Sequence, residues 1–329
     1  MPMLPLKPND CIGFFSPSTP ITVHCPNRFK RAAAFLEEKG FVLKPGGLTG
    51  QTDGYRSGSI QERAAELNAL IRDPDVRCII STIGGTNSNS LLPYIDYEAF
   101  RTDPKIVVGH SDVTAILLGI YARTGIPTFY GPALVPSFGE FEPYNELTWS
   151  YFADICVDHL RLPHEFVRPD FWTQEAVPWE TQTAEKDRHP NQWITCRKGR
   201  VEGRLIIGNL NTISSVWGSP YMPEIEKGDI LFIEDTQKTA AMMERLFSFL
   251  KINGVLERIG GLILGKHERF DDQDTGRLPH DILEEILGPY TFPFLADVDC
   301  SHTHPMFTMP VGAQIRLDAS EQRIELLRI

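Results

Sequence analysis

The amino-acid sequence predicts an α/β protein whose first half folds around a parallel β-sheet. Short apolar runs alternate there with amphipathic helical patterns, an arrangement typical of parallel strands connected by helices. The chain has 329 residues, of which 42% are hydrophobic. At roughly 150 residues per domain this length predicts two domains, and the apolar content is sufficient for two buried cores.

The N-terminal elements are predicted from hydrophobic periodicity and from helix caps. Ser59 and Glu62 form the pattern of a capping box at the start of a helix, and Gly40 and Gly125 follow helical patterns where glycine commonly ends them. In chain order we predict strands at 11–16, 41–44, 77–82 and 105–108, and helices at 27–39, 59–72 and 113–123.

The alternation breaks between residues 163 and 200. This segment contains three tryptophans and no clean period. A loop of this length inside a compact protein is usually functional or disordered, and the tryptophans argue against disorder. The alternative is an interdomain linker whose aromatic side chains only pack against the domains.

Strand patterns dominate the remainder of the chain. We therefore predict an α/β N-terminal domain at 1–165, a long tryptophan-containing loop at 166–200 and a smaller β-rich domain at 201–329. The predicted C-terminal elements are strands at 204–208, 230–234, 261–265 and 294–299, helices at 239–251 and 281–287, and a closing hairpin of 313–318 with 323–329.

Charge and cysteine content limit the partners and the compartment. Asp and Glu number 43 against 32 Lys and Arg, a net charge of -11, so we do not expect nucleic acid as a partner. No apolar stretch approaches the roughly 20 residues that span a bilayer, and the opening MPMLPLKPND lacks the pattern of a signal peptide. The six cysteines form no C-x-x-C pair, which favours reduced thiols. We expect a cytoplasmic protein without a membrane partner.

Unusual polar residues follow one predicted strand after another. In open α/β sheets, ligands bind in the crevice beyond the carboxyl ends of the strands. The coincidence of polar residues at six strand ends therefore predicts one site. These polar groups are Gly84-Gly85-Thr86-Asn87, His110-Ser111-Asp112, Asn209-Leu210-Asn211, Glu234-Asp235, Lys266-His267-Glu268 and Ser301-His302-Thr303-His304.

Ser111 is the candidate nucleophile. The run Gly-His-Ser-Asp between a strand and a helix resembles a nucleophile elbow, although Val113 stands where the G-x-S-x-G motif has its second glycine. The alternative for Ser111 is a helix N-cap, a position that serine commonly fills.

A serine nucleophile requires a base and a group that orients the base. His302 lies just after a strand end and is the candidate base, and Glu234 ends an apolar strand where its carboxylate can be partly buried. Taken alone, His302 is equally consistent with a loop histidine and Glu234 with a surface charge.

The double glycine Gly84-Gly85 permits close backbone approach, which suits an oxyanion hole or a phosphate cradle. The segment lacks both the G-x-G-x-x-G and the G-x-x-x-x-G-K-[ST] patterns. A metal site is the other alternative, but H-E-x-x-H is absent and we expect no metal or other cofactor. Its candidate ligands are His267, Asp297, Asp299, His302 and His304.

Five blocks in the chain, taken together, resemble the LD-carboxypeptidase family of serine peptidases (S66). They are TIGGTNSNSLLPYIDYEAF, VVGHSDVTAIL, LIIGNLNTISSVWGSPY, ILFIEDT and DCSHTHPMFTMPVGAQIRLD, and they run in order through nearly the whole chain. Within the family, the resemblance is nearest to the microcin C self-immunity peptidases.

The resemblance implies a catalytic triad of Ser111, Glu234 and His302, with an oxyanion hole formed by the N–H groups of Gly85 and Asp112. It also implies a Rossmann- or flavodoxin-like N-terminal domain, a β-rich C-terminal domain, an active site between them and a homodimer. Ser301 stands where many relatives have glycine before the histidine. This departure leaves every catalytic group in place.

The family includes enzymes that cut murein tetrapeptides and enzymes that cut the amide between a C-terminal aspartyl group and a modified nucleotide. Nucleotide recognition needs an aromatic face, polar groups and a cation. The resemblance assigns substrate binding to Gly84, Trp179, Asn211, Lys238 and Glu268.

This chain has a residue of the required type at each nucleotide-binding position. The substrate is therefore expected to be a small peptide-nucleotide or aminoacyl-nucleotide, and murein tetrapeptide cleavage is the alternative activity. Trp172 and Trp193 share the loop with Trp179, and the sequence does not decide among the three. Lys238 is also consistent with a surface cation, and Glu268 with a solvated carboxylate.

Overall fold

The computed structural model describes residues 5–157 and 160–329 of the chain. Its β-strands form two large sheets and one short ribbon. In chain order the strands are β1 (Cys11–Phe15), β2 (Val42–Pro45), β3 (Val76–Ser81), β4 (Ile106–Gly109), β5 (Phe129–Tyr130), β6 (His164–Glu165), β7 (Phe171–Trp172), β8 (His189–Pro190), β9 (Ile194–Arg197), β10 (Arg200–Asn209), β11 (Ile230–Glu234), β12 (Gly261–Gly265), β13 (Phe294–Val298), β14 (Met309–Pro310), β15 (Gln314–Asp318) and β16 (Arg323–Arg328).

Helices connect most of the parallel strands. Short 3-10 turns at Ser88–Tyr94 and Ser111–Val113 and a π-turn at Leu134–Phe138 interrupt the regular pattern. In chain order the α-helices are α1 (Ile21–His24), α2 (Pro26–Glu38), α3 (Ile60–Arg72), α4 (Tyr97–Thr102), α5 (Thr114–Thr124), α6 (Tyr144–Cys156), α7 (Leu210–Val216), α8 (Ala240–Ile252) and α9 (Pro279–Leu287).

The first sheet has the order β14-β5-β4-β3-β1-β2. Its five N-terminal strands are parallel, and β14 joins antiparallel at the β5 edge. This arrangement confirms the predicted α/β fold with a parallel sheet. Strands β1, β3 and β4 are buried along most of their length, as expected for a sheet covered by helices on both faces.

The second sheet has the order β6-β16-β15-β10-β11-β12-β13-β9. Strands β10 to β13 pair in parallel at its centre, and the hairpin of β15 and β16 extends it with antiparallel pairing. The C-terminal half is therefore rich in β-structure, and it also carries helices α7, α8 and α9 between its parallel strands.

The sheets exchange strands across the predicted domain limits. β6, at the end of the predicted 1–165 unit, pairs with β16 of the second sheet. β9, inside the 166–200 segment, forms the opposite edge of the same sheet. β14 comes from the C-terminal half but completes the first sheet. The division into 1–165, 166–200 and 201–329 stays a prediction, and these three strands tie the predicted units together.

The halves are packed closely where β10 meets α5. A Cβ on Gly208 would lie 2.4 Å from the Thr114 side chain, so only glycine allows this approach. The Asn209 N–H donates a 3.0 Å hydrogen bond to the Thr114 hydroxyl. As a result, the carboxyl end of β10 in the second sheet lies against the start of α5, which follows β4 of the first sheet.

Most predicted elements are present within one or two residues of their predicted limits. The capping box at Ser59 and Glu62 is confirmed, with both reciprocal hydrogen bonds, and Gly125 ends α5 in the left-handed conformation. Periodicity did not predict α6 or α7. Within the described ranges, none of the helices combines the length and the apolar character that crossing a bilayer requires.

Candidate active site

Ser111 lies in a tight turn between β4 and α5. Its φ is +62°, a left-handed conformation that costs free energy in a residue other than glycine. The backbone N–H of Ser111 donates a 3.1 Å hydrogen bond to the Tyr130 hydroxyl. The N-cap residue of α5 is Val113, and the Ser111 side chain does not cap the helix. The alternative that Ser111 is a helix N-cap is therefore wrong.

Glu234 and His302 form a buried pair at the ends of β11 and β13. His302 Nδ1 lies 2.7 Å from Glu234 Oε2. The other carboxylate oxygen accepts hydrogen bonds from the Tyr130 hydroxyl at 2.6 Å and from the Asn209 amide at 3.1 Å. Glu234 is 1% exposed, so the surface-charge alternative is wrong.

The pair holds Glu234 ionised and makes His302 more basic. Burial alone raises the pKa of Glu234, but the neighbouring His302 ring and three donated hydrogen bonds outweigh burial and bring it to about 2. Burial lowers the pKa of His302, while the charge and the hydrogen bond of Glu234 raise it above its usual 6.5. An ionised Glu234 accepts a hydrogen bond from the N–H at His302 Nδ1, which leaves Nε2 as the basic nitrogen.

The double glycine faces Ser111, the candidate nucleophile. A Cβ on Gly84 would lie 3.0 Å from Ser111 Oγ and 3.1 Å from the Asp112 backbone nitrogen. Gly85 has a φ of +145°, and a Cβ there would meet the Ser18 hydroxyl at 2.2 Å. Both positions therefore require glycine, and the glycine loop lies against the turn at Ser111 and Asp112.

The buried Asp112 carboxylate fixes this turn. One of its oxygens accepts hydrogen bonds from the Asn87 and Ser88 N–H groups, each at 2.9 Å. The glycine loop and the turn at Ser111 are thus held together by the Asp112 side chain.

A cavity of about 380 Å³ opens above these groups, within the range typical of small-molecule sites. Ser111 and His302 share its wall, and no hydrogen bond joins their side chains within the described residues. The predicted site residues in the wall are Gly84, Gly85, Ser111, Trp179, Glu268 and His302.

The three tryptophans of the long loop have different surroundings in the structure. Trp179 lines the cavity and lies over the Arg28 guanidinium at 4.7 Å. Trp193 is buried and donates to Asp299, and the Lys266 ammonium lies over the Trp172 ring at 5.6 Å, outside the cavity wall. Only Trp179, among these three, offers its ring to a ligand in the cavity.

Asn211 and Lys238 are not part of the cavity wall and meet around Asp235. The Asn211 N–H donates to one Asp235 carboxylate oxygen at 3.0 Å, and the Lys238 ammonium lies 3.3 Å from the other. The Lys238 side chain is 16% exposed, so Lys238 is not the solvated surface cation of the alternative interpretation. Glu268, in the wall, accepts a hydrogen bond from the Thr236 hydroxyl.

The candidate metal ligands do not converge. Among the described residues, no group of three or more His, Cys, Asp and Glu side chains is arranged to hold a metal ion. Asp299 pairs with Lys266 at 2.8 Å, and His302 pairs with Glu234. Asp299 and His302 therefore each pair with a neighbouring side chain of the protein.

Two residues of the site, Tyr130 and Lys186, were not identified from the sequence. Tyr130 lies in a two-residue strand, and Lys186 lies in the aperiodic loop, so neither has a local pattern. His110 was predicted at the site as part of the Gly-His-Ser-Asp run, but without a role. It packs edge-on against His302 at 5.1 Å, and burial lowers its pKa to about 4.

Comparison with known proteins gives matches over both halves. A family model described as the LD-carboxypeptidase N-terminal domain matches residues 12–131, and the C-terminal domain model matches residues 202–317. A Vibrio cholerae protein provisionally named as a carboxypeptidase is 54% identical, covering 98% of this chain and 96% of that protein. The Escherichia coli microcin C7 self-immunity protein MccF is 49% identical, covering 98% of this chain and 94% of its own length.

Solved structures of MccF superpose along the whole chain. Its complex with aspartyl sulfamoyl adenosine has a TM-score of 0.98 at 48% identity, covering 100% of this chain and 99% of that one. Other MccF structures hold glutamyl sulfamoyl guanosine, or carry alanine at an active-site serine, asparagine and lysine. A murein tetrapeptide carboxypeptidase from Pseudomonas aeruginosa is 26% identical, covering 72% of this chain and 69% of its own length.

Proposed function

This chain belongs to the LD-carboxypeptidase family, and from that membership and its cavity we propose that it is a serine hydrolase of aminoacyl-nucleotides. The proposed reaction cuts the amide between a C-terminal aspartyl group and a modified nucleotide in microcin C-like compounds. The observation that carries the proposal is the shared cavity wall: Ser111 and His302 stand there together with Trp179.

The reaction follows from the protonation states of the buried pair. His302 Nε2 takes the Ser111 proton while Ser111 Oγ attacks the aspartyl carbonyl carbon, and the Gly85 and Asp112 N–H groups stabilise the oxyanion. His302 then gives the proton to the leaving nitrogen, the amide bond breaks and an acyl-enzyme remains. Water attacks the ester with His302 again as base, which releases the free acid. Glu234 orients the ring and stabilises its cation throughout.

Residue spacing supports the nucleotide part of the proposal. One MccF variant, mutated at a tryptophan, was solved with adenosine monophosphate, and another carries the serine, asparagine and lysine mutations. Its serine and tryptophan are as far apart in sequence as Ser111 and Trp179 are here. Its asparagine and lysine are spaced like Asn211 and Lys238.

Aspartyl sulfamoyl adenosine is the substrate for a direct test. Purified protein should release free aspartate and sulfamoyl adenosine, both measurable by chromatography with mass detection. The Ser111→Ala variant serves as the control and should leave the compound intact. Intact compound after long incubation with the unmodified protein would refute the proposal.

Murein tetrapeptide cleavage is the alternative activity, because the family includes murein tetrapeptide carboxypeptidases at lower identity. The same protein sample should therefore be incubated with the tetrapeptide, and release of its terminal D-alanine measured. Rapid release of D-alanine together with inert aspartyl sulfamoyl adenosine would assign the chain to cell-wall recycling.

We also propose a cytoplasmic homodimer. The six cysteines are free in the structure, as expected in a reducing compartment. Light scattering of the purified protein should give about twice the chain mass of 37.1 kDa. A mass equal to one chain at micromolar concentration would contradict the dimer.

A further inference from the structure

A buried lysine of the long loop reaches the cavity. Lys186 is 5% exposed and lies in the cavity wall with Ser111 and His302. Its ammonium makes one ion pair among the described residues, with Glu140 at 3.1 Å. An ammonium group has three N–H donors, so Lys186 keeps donor capacity for a further partner.

Glu140 is already neutralised by another residue. The fully buried Arg28 donates to Glu140 Oε2 at 2.8 Å and to the Pro136 carbonyl at 2.8 Å. The other oxygen, Glu140 Oε1, accepts the Phe141 N–H and the Gln182 amide. Burial raises the pKa of Glu140, but the neighbouring Arg28 and Lys186 cations lower it below its usual range. One carboxylate therefore faces two cations, and the group carries an excess positive charge.

No second carboxylate forms an ion pair with Lys186 among the described residues. His304 is uncharged, because burial and the lysine place its pKa well below the usual range. Glu175 and Glu268 also line the cavity, but the Glu175 carboxylate accepts the Asp187 N–H at 2.7 Å and the Glu268 carboxylate accepts the Thr236 hydroxyl. Burying an unmatched cation costs free energy, which an anionic ligand in the cavity would recover.

We propose that Lys186 binds the side-chain carboxylate of the acidic amino acid whose carbonyl carbon Ser111 attacks, and so selects aspartyl over uncharged acyl groups. This inference rests on the proposed function. The leaving group already has a separate candidate cation in Lys238, which lies with Asp235 outside the cavity wall. Lys186 shares the wall with Ser111, which suits a carboxylate whose carbon is three bonds from the scissile carbonyl carbon. The same buried cluster supports the Trp179 ring through Arg28.

The test compares two substrates of nearly equal shape. Aspartyl and asparaginyl sulfamoyl adenosine differ by one charge, so the ratio of their kcat/KM values measures recognition of the carboxylate. A hydrogen-bonded ion pair in a buried site should give the unmodified protein a preference for aspartyl of about tenfold to 100-fold. Lys186→Met keeps the apolar stem and should bring the ratio close to one, mainly by slowing the aspartyl substrate. Lys186→Arg keeps a cation and should retain most of the preference.

Control variants separate this role from a structural one. Lys198 is exposed, so Lys198→Met should leave both substrates unchanged. Equal losses on both substrates in Lys186→Met, or an unchanged ratio, would overturn the proposal. If Lys186→Met does not fold, the ratio in Lys186→Gln decides the question. Failure of the unmodified protein to cut either compound would instead refute the proposed function, so the two failures are distinguishable.

Discussion

The Tyr130 hydroxyl donates a 2.6 Å hydrogen bond to Glu234 and at the same time accepts one of 3.1 Å from the Ser111 N–H. One side chain of the first sheet thus joins the turn at Ser111 to the Glu234 carboxylate, which contacts His302. Tyr130 is fully buried, and burial followed by the Glu234 charge raises its pKa, so the hydroxyl stays protonated and able to donate.

We expect Tyr130→Phe to slow turnover while substrate binding changes little. Loss of a hydrogen bond to a charged group costs about 1.5–3 kcal/mol, which corresponds to roughly tenfold to 150-fold in kcat if it is felt in the transition state. Steady-state kinetics with aspartyl sulfamoyl adenosine measure kcat and KM separately. An unaltered kcat in a folded variant would show that Tyr130 is only part of the core.

Two replacements of Ser111 separate catalysis from backbone strain. Both Ser111→Ala and Ser111→Gly should abolish turnover, because each removes the nucleophile. Glycine tolerates the φ of +62° while alanine does not, so the glycine variant should be more stable than the alanine variant by about 1 kcal/mol. Urea unfolding of the two variants gives this difference. Equal stabilities would mean that the turn relaxes without cost.

The pH dependence of kcat/KM should report the Glu234–His302 pair. His302 acts as a base in its neutral form, so activity rises with pH through the pKa of His302, which Glu234 raises above 6.5. In Glu234→Gln the negative charge is lost, and the acid limb should move to lower pH while the plateau falls. A plateau that falls without displacement of the limb would argue against the electrostatic role of Glu234.

Gly84→Ala should block the site directly. Its new methyl group would lie 2.8 Å from Ser111 Cβ and 3.0 Å from Ser111 Oγ, so either the nucleophile or the glycine loop must move. We expect at least a 100-fold loss of kcat/KM, because small displacements of reacting groups cost about this much. Gly47→Ala is the matched control, since no atom lies within 4 Å of its Cβ, and it should retain full activity. Near-normal activity of Gly84→Ala would place the reacting groups elsewhere.

Trp179→Ala should raise KM for a nucleotide substrate, because the cavity loses its stacking surface. Stacking of a base on an aromatic ring is worth about 1–3 kcal/mol, which corresponds to roughly a fivefold to 150-fold change. Trp172→Ala removes a tryptophan of the same loop outside the cavity wall and should leave KM unchanged. A raised KM in Trp172→Ala with an unchanged KM in Trp179→Ala would instead assign the stacking contact to Trp172.

The sequence alone determined the elements and the positions at which chemistry could occur. The alternation of strands and helices, the capping box at Ser59 and the polar residues at strand ends are local patterns, because periodicity and caps depend on neighbouring residues. The rule that parallel strands end at one edge then predicted that Ser111, Glu234 and His302 belong to one site. The structure places the last two in direct contact and the first in the same cavity wall.

The side chains that complete that site come from distant parts of the chain, and the tertiary structure brings them together. Tyr130 contacts Glu234 across 104 positions, and Lys186 meets Glu140 from a loop without periodicity. The sequence also did not predict that β6, β9 and β14 pair across the predicted domain limits. Nor did it predict which of the three loop tryptophans lines the cavity. Such contacts depend on how two sheets pack and which groups they bury together, and no pattern of adjacent residues records this.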